Sequence, residues 1–468
     1  MTVNRAKFFA VILVALASGP VAPLAAAEEP NDDLIQMIVD LLADQDKDIR
    51  ALALDQVRTD VPGEAATKRF AAELSKLPPD AQVGLIGALA DREDAVARPA
   101  VLEALAAARD ESVRVAAIRA IGALGEPSDT SLLVRVLAEA FNAEKNAARA
   151  SLIRLAGEDA SQAIARSMNE APPAVRVALI EILTARRAID AAPDLLTAAI
   201  DADANVRAAA MTALGQLAGP EHVPGMVQGV LKAEQGAERQ AAEKALALVC
   251  HREADADKRA DALLAAMANL QSAEQTAVLP ALGRVGSPSA LKMIEAVIAE
   301  PDPQRHDAGV RALCNWPDAS VAPRLVELIE SEEHAEHRAM SLRALIRVAA
   351  LPDVRSDQQR LELLQQAMKL CARDEDRRLA LNRAPAIRTV ESLRFVLPYL
   401  EQPALTEQAC QSVVELAHHR GLREPNKVEF DRALDKVLSI SNDPIVRERA
   451  QRYKNGQTWV RPVAPRSA

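Results

Sequence analysis

The feature that most limits what this chain can become is the stretch Asp110–Gly125 (DESVRVAAIRAIGALG), which returns in variant form along most of the sequence. Its apolar positions Val113, Ala116, Ala117, Ala120, Ile121 and Leu124 follow the i, i+3, i+4, i+7, i+8, i+11 spacing of one buried helix face. Val115 and Ile118 add a second apolar flank. A helix buried on two sides must pack against a partner and against a neighbouring copy of itself, which is the demand of a stacked helical array. Aligned on the residue after the unit's first valine, the register reads Arg114, Arg149, Arg176, Arg207, Arg239, Gln275, His306 and Arg338. The steps are about 27–36 residues, the period of helical solenoids. Weaker matches at Arg50, Arg377 and Arg447 stand where capping repeats belong.

Between these helices the spacing predicts a second set: 130–141, 160–168, 193–200, 223–231, 258–270, 289–299 and 321–330. Each repeat is then a helical hairpin, with breakers in the connections at Gly125-Glu126-Pro127, Gly219-Pro220 and Gly286-Ser287-Pro288. Asp110, Asp203 and Asp302 stand at predicted helix starts, where a carboxylate satisfies free amides and favours the positive end of the helix dipole. Composition agrees with this reading. Hydrophobic residues make up 49% of the chain but aromatics only 2%, so the interior must be built of Ala, Leu, Val and Ile, whose small side chains let helices approach closely. At roughly 34 residues per unit, on the order of twelve hairpins are expected.

The D-x-x-V-R-x-A-A-x-x-A-I/L-G pattern of Asp110–Gly122, with relatives at Asp203–Gly215 and Pro172–Leu183, resembles HEAT-like repeats. The short period resembles their phycobilisome-lyase type. The resemblance spans nearly all of residues 30–454 and implies an all-α fold, an α-α superhelical solenoid of stacked helical hairpins. Such folds commonly bind proteins on the concave face, and some members help attach chromophores. No catalytic motif of that group maps onto residues here.

The expected organisation is a signal peptide at 1–27, the repeat array at 28–454 and an unfolded tail at 455–468. Arg5 and Lys7 form a basic start, Phe8–Ala17 an apolar run too short to span a bilayer, and Ala25-Ala26-Ala27 a small-residue cleavage site. Export to the periplasm or the medium follows as an expectation, with cleavage near Ala27 and no membrane span. Formal net charge is −10, and −12 once Arg5 and Lys7 are removed, which argues against nucleic acid and anionic membranes as partners.

Little in the sequence points to chemistry. Dinucleotide, Walker and nucleophile-elbow motifs are absent, no cofactor is expected, and no carboxylates stand out as a catalytic pair. His334 and His337 lie three apart in EEHAEHR and His418-His419 near another helix end, but neither spacing marks a metal site, and a solvated helix face accounts for them equally well. Cys250, Cys314, Cys371 and Cys410 fall in different repeats; Cys371 and Cys410 are the best candidates for a bridge, with buried thiols the default. The recurring arginines are read as rungs that bond a turn aspartate or a carbonyl of an adjacent repeat and hold the register.

One segment departs from the pattern. Arg377, Arg378, Arg383 and Arg394, with Phe395 and Tyr399, concentrate arginine and aromatic side chains on an acidic chain, a composition favoured at binding hot spots. The expectation is an exported, non-enzymatic, monomeric scaffold that binds a protein or peptide partner. The alternative is an accessory lyase or chaperone-like factor acting on a client protein's cofactor.

Overall fold

A computed structural model describes residues 32–459. Among the described residues there are 27 α-helices and no strand. The proposed leader at 1–27 and residues 460–468 of the proposed tail lie outside them.

The repeating unit folds as its spacing predicts. Glu111–Leu124 carries the opening copy, and Asn142–Arg154, Pro173–Ala185, Ala204–Leu217, Ala237–Cys250, Ser272–Val285, Pro303–Cys314 and Ala335–Ala349 carry its relatives. These form a second-helix row, each member closing a hairpin: Thr130–Glu139 packs on Asn142–Arg154, Pro288–Ile298 on Pro303–Cys314, and Ala322–Ser331 on Ala335–Ala349. The N-caps also hold. Asp110, Asp203 and Asp302 each accept from an amide of the first helical turn through the side chain. The first helices begin in a common way. Several are entered through a 3₁₀ turn, at Pro127–Asp129, Ile189–Ala191, Pro220–His222 and Ala319–Val321, a feature the helical spacing does not show, and begin within one residue of the predicted starts.

The chain divides between Ala160 and Ser161 into two compact units, both all-α stacks of the same hairpin. In the first, Lys47–Thr59, Pro79–Asp91, Glu111–Leu124 and Asn142–Arg154 stack in succession. In the second, the row runs from Pro173–Ala185 through Ala335–Ala349 to Asp374–Arg383, Thr406–His418 and Pro444–Lys454.

Small residues set the spacing between successive hairpins. A methyl group at Gly122 would lie 2.8 Å from the Cα of Ser151, and one at Gly283 would collide with the Ala312 carbonyl. The glycine of the repeat motif is therefore a site of close helix approach. Beside it Ser151 donates a buried hydrogen bond of 2.7 Å to the Ile118 carbonyl, and Ser412 does the same to Leu381 at 2.9 Å, so the polar groups brought together are satisfied.

The four cysteines are unbridged, Cys371 and Cys410 included. Burial pushes the thiols of Cys250 and Cys410 up to about 12 and those of Cys314 and Cys371 to about 11, which makes them packing residues and poor nucleophiles. At the C-terminal end Tyr453 is fully buried, its hydroxyl 3.0 Å from His418 Nδ1, and the Arg449 guanidinium lies 5.1 Å from the Trp459 ring centroid. The two aromatics thus fold back on the last hairpin.

Candidate functional site

The register residues are rungs. Arg207 donates to the carbonyls of Asp201 and Ala202 at 3.0 and 2.9 Å, closing the end of the preceding turn, and grips Glu238 of the next hairpin bidentately at 2.7 and 3.0 Å. Arg114 makes the same fork to Glu144 at 2.8 and 2.9 Å. Arg239 and Arg338 bond carbonyls of the turns before them, and Gln275 reaches the Met267 and Leu270 carbonyls at 3.2 Å each. The arginine forks hold the carboxyls of Glu144 and Glu238 below the usual carboxylate range. A second ladder escaped the sequence reading. Arg92, Arg252 and Arg347, at or just past the ends of their helices, reach back to carbonyls at the C-terminal end of the preceding second-row helix, Arg347 to Cys314 and Trp316 at 3.1 and 2.6 Å.

One rung differs. His306 takes the register position in Pro303–Cys314; its Nδ1 lies 2.7 Å from the Ile298 carbonyl and its Nε2 3.0 Å from a Glu332 carboxylate oxygen. Glu332 sits at the end of Ala322–Ser331 and meets two further histidines. His334, exposed, places Nδ1 3.0 Å from Glu332 Oε1; His337, only 7% exposed, places Nδ1 3.8 Å from the same oxygen and Nε2 3.0 Å from Asp307. Burial opposes ionisation of Glu332, yet the His334 amide and ring and the His306 ring hold its carboxyl down at about 2. Sequence spacing joined His334 to His337 but could not join His337 to His306, because that contact runs between hairpins.

A groove of about 810 Å³ crosses Ala237–Cys250, Ser272–Val285, Pro303–Cys314 and Ala335–Ala349. Arg239, Arg284, Arg311, Arg343 and Arg347 line it, against the acids Glu243 and Asp307. Glu243 is buried, and that burial pushes its carboxyl pKa up while Arg284, 3.3 Å away, works in the opposite direction. Arg311 and Arg343 extend to solvent while paired with Asp307 at 2.8 Å and Asp376 at 3.2 Å. The sequence reading missed this surface because its arginines come from four hairpins at different heights on their helices.

The residues expected to bind a partner are partly brought together. Arg377, Phe395 and Tyr399 line one groove with Lys369, the two rings edge to face at 5.8 Å. Arg378, Arg383 and Arg394 do not line it. Arg378 bonds the Ala404 carbonyl at 3.0 Å, Arg394 pairs with Glu429 at 2.6 Å, and Arg383 is exposed in the last turn of Asp374–Arg383. Arg377 itself pairs with Asp374 at 3.0 Å.

Residues 67–153 and 161–247 match the family model for HEAT repeats. The chain carries HEAT repeats. Among solved structures, Kap121p is similar with a TM-score of 0.47 and 13% identity over 91% of this chain and 54% of that one. Importin beta gives 0.36 and 12% over 90% and 68%, and human deoxyhypusine hydroxylase in complex with glycerol gives 0.23 and 18% over 61% and 96%. The HEAT chain thus spans about half the length of Kap121p. No curated protein matches the sequence.

Proposed function

We propose that this HEAT-repeat chain is an exported, non-enzymatic scaffold that holds an acidic segment of a protein partner along the arginine-lined groove of its second unit. The observation that carries the reading is the groove's charge: five arginines face two acids on a chain whose net charge is −10. Each arginine is already held by a carbonyl or carboxylate, so the positive surface is organised in advance and little side-chain entropy is lost when a partner's carboxylates arrive. HEAT solenoids bind protein partners, and a segment lying across four hairpins suits that architecture. The groove of Arg377, Phe395 and Tyr399 offers a second, amphipathic contact on the same unit.

Export rests on the leader-like residues 1–27, and no helix among the described residues is long and apolar enough to cross a membrane. N-terminal sequencing of the protein recovered outside the cytoplasm is expected to begin at Glu28. The partner reading is tested with a fluorescent oligoglutamate peptide. Binding is expected to weaken steeply with salt and to fall at least tenfold in Arg311→Glu/Arg343→Glu, while Arg135→Glu, at an exposed position of the first unit, leaves it unchanged. Equal loss in all variants, or no binding by the native chain at low salt, overturns the reading.

A further inference from the structure

We propose that His306, Glu332 and His337 form a zinc site that clips two successive hairpins together. Their ligand atoms, one per residue, lie within 4.8 Å of one another. The hydrogen bonds around the two rings determine which nitrogens remain for an ion. The Ile298 carbonyl can only accept, so His306 Nδ1 carries a hydrogen, and Nε2, 3.0 Å from Glu332, is the nitrogen that can offer a lone pair to an ion. Asp307 accepts from His337 Nε2 at 3.0 Å, and the lone pair of Nδ1 is left facing Glu332 Oε1 at 3.8 Å. That Nδ1 is buried and has no hydrogen-bond partner, on a residue 93% withdrawn from solvent.

In that tautomer two imidazole lone pairs and a carboxylate oxygen converge, a donor set that a cation among them holds together. The outer contacts are those that orient ligands in metal centres: a backbone carbonyl behind one histidine and a carboxylate behind the other. Two nitrogens and one oxygen suit zinc, whose bonds of about 2.0–2.2 Å draw the ligand atoms to about 3.3 Å apart through small side-chain rotations. Exposed His334, whose ring centroid is 5.2 Å from that of His337 and whose Nδ1 is 3.0 Å from Glu332, or water would supply the fourth ligand. His306 belongs to one hairpin and Glu332 and His337 to the next, so the ion replaces the arginine fork found at other rungs. Asp307, behind His337, also lines the arginine groove, which places the ion beside that surface.

The site is tested by titrating the full chain with Co²⁺ as a spectroscopic probe and Zn²⁺ as its competitor. The native protein is expected to bind one equivalent of Co²⁺ with the intense visible bands of a four-coordinate site, to lose them on adding Zn²⁺, and to melt at a higher temperature with Zn²⁺ bound. His337→Ala and His306→Gln are each expected to weaken binding at least a hundredfold. His306→Gln keeps the fold measurable, because Gln275 fills the preceding rung and bonds carbonyls there. His222→Ala, on a separate 3₁₀ turn, is expected to bind like the native chain. Absence of the bands from the native protein, or their survival in folded His306→Gln, shows a histidine–carboxylate ion pair without a metal and overturns the proposal.

Discussion

Arg207 and His306 occupy the same place in two hairpins of the second unit, yet they leave their surroundings in different states. The guanidinium has five N–H donors; four go to the Asp201 and Ala202 carbonyls and to both oxygens of Glu238, and Nη2 also lies 3.7 Å from the Glu234 carboxylate. Nothing around it is left to bind. The imidazole has two nitrogens; one meets Ile298 and the other faces Glu332, on which His334 and His337 also converge. A rung that satisfies every neighbour holds register and nothing more, whereas a rung that leaves lone pairs is where new chemistry enters the array.

The contrast is broken most strongly at Arg207. Its side chain is 5% exposed and that of Glu238 16%, so Arg207→Ala leaves a largely buried carboxylate without its partner. A loss of about 3 kcal/mol is expected in urea denaturation. A loss below about 1 kcal/mol would mean that the rung is ornamental. Next comes the close approach between hairpins. Gly283→Ala forces the helix away from the Ala312 carbonyl and is expected to cost about 2 kcal/mol, read from the same transition. The N-cap Asp203 follows: Asp203→Ala removes the acceptor for the amides of Asn205 and Val206 and is expected to cost about 1 kcal/mol, with faster amide exchange confined to the first turn of Ala204–Leu217.

The pH response is a smaller effect with a definite sign. The forks depress the folded-state pKa values of Glu144 and Glu238 below their unfolded values. Their contribution is therefore complete above the unfolded glutamate value, about 4.3, and is lost as pH falls through the lower folded values. Thermal stability is expected to be level from neutral pH down to about 5 and then to drop, and Glu144→Gln/Glu238→Gln is expected to drop less steeply. An unchanged slope in the double variant would remove these rungs from the acid response.

These differences also explain what the sequence could disclose. Helices, hairpins and N-caps were legible because Val113, Ala117 and Ile121 recur at helical spacing and aspartates precede the copies at Glu111–Leu124, Ala204–Leu217 and Pro303–Cys314. The first ladder was legible for the same reason, since its residues share a register. The Arg92, Arg252 and Arg347 ladder was not, because its partners are backbone carbonyls, which leave no mark in the sequence. Phe395 and Tyr399 were singled out and do share a groove with Arg377, while Arg394 is drawn away by Glu429, 35 residues downstream. His306 and Glu332 stand 26 residues apart and meet only once two hairpins stack. Contacts of that kind belong to the array and to neither helix alone.

The most direct test of this account is to restore the common rung at the exceptional place. An arginine in His306→Arg can reach both the Ile298 carbonyl and the Glu332 carboxylate, as Arg207 reaches its own carbonyls and Glu238. Thermal denaturation and Co²⁺ titration are measured on the same preparation. A metal-free melting temperature equal to or above that of the native chain is expected, together with complete loss of Co²⁺ binding. A variant that melts well below the native chain, or that binds Co²⁺ as the native chain does, would contradict it.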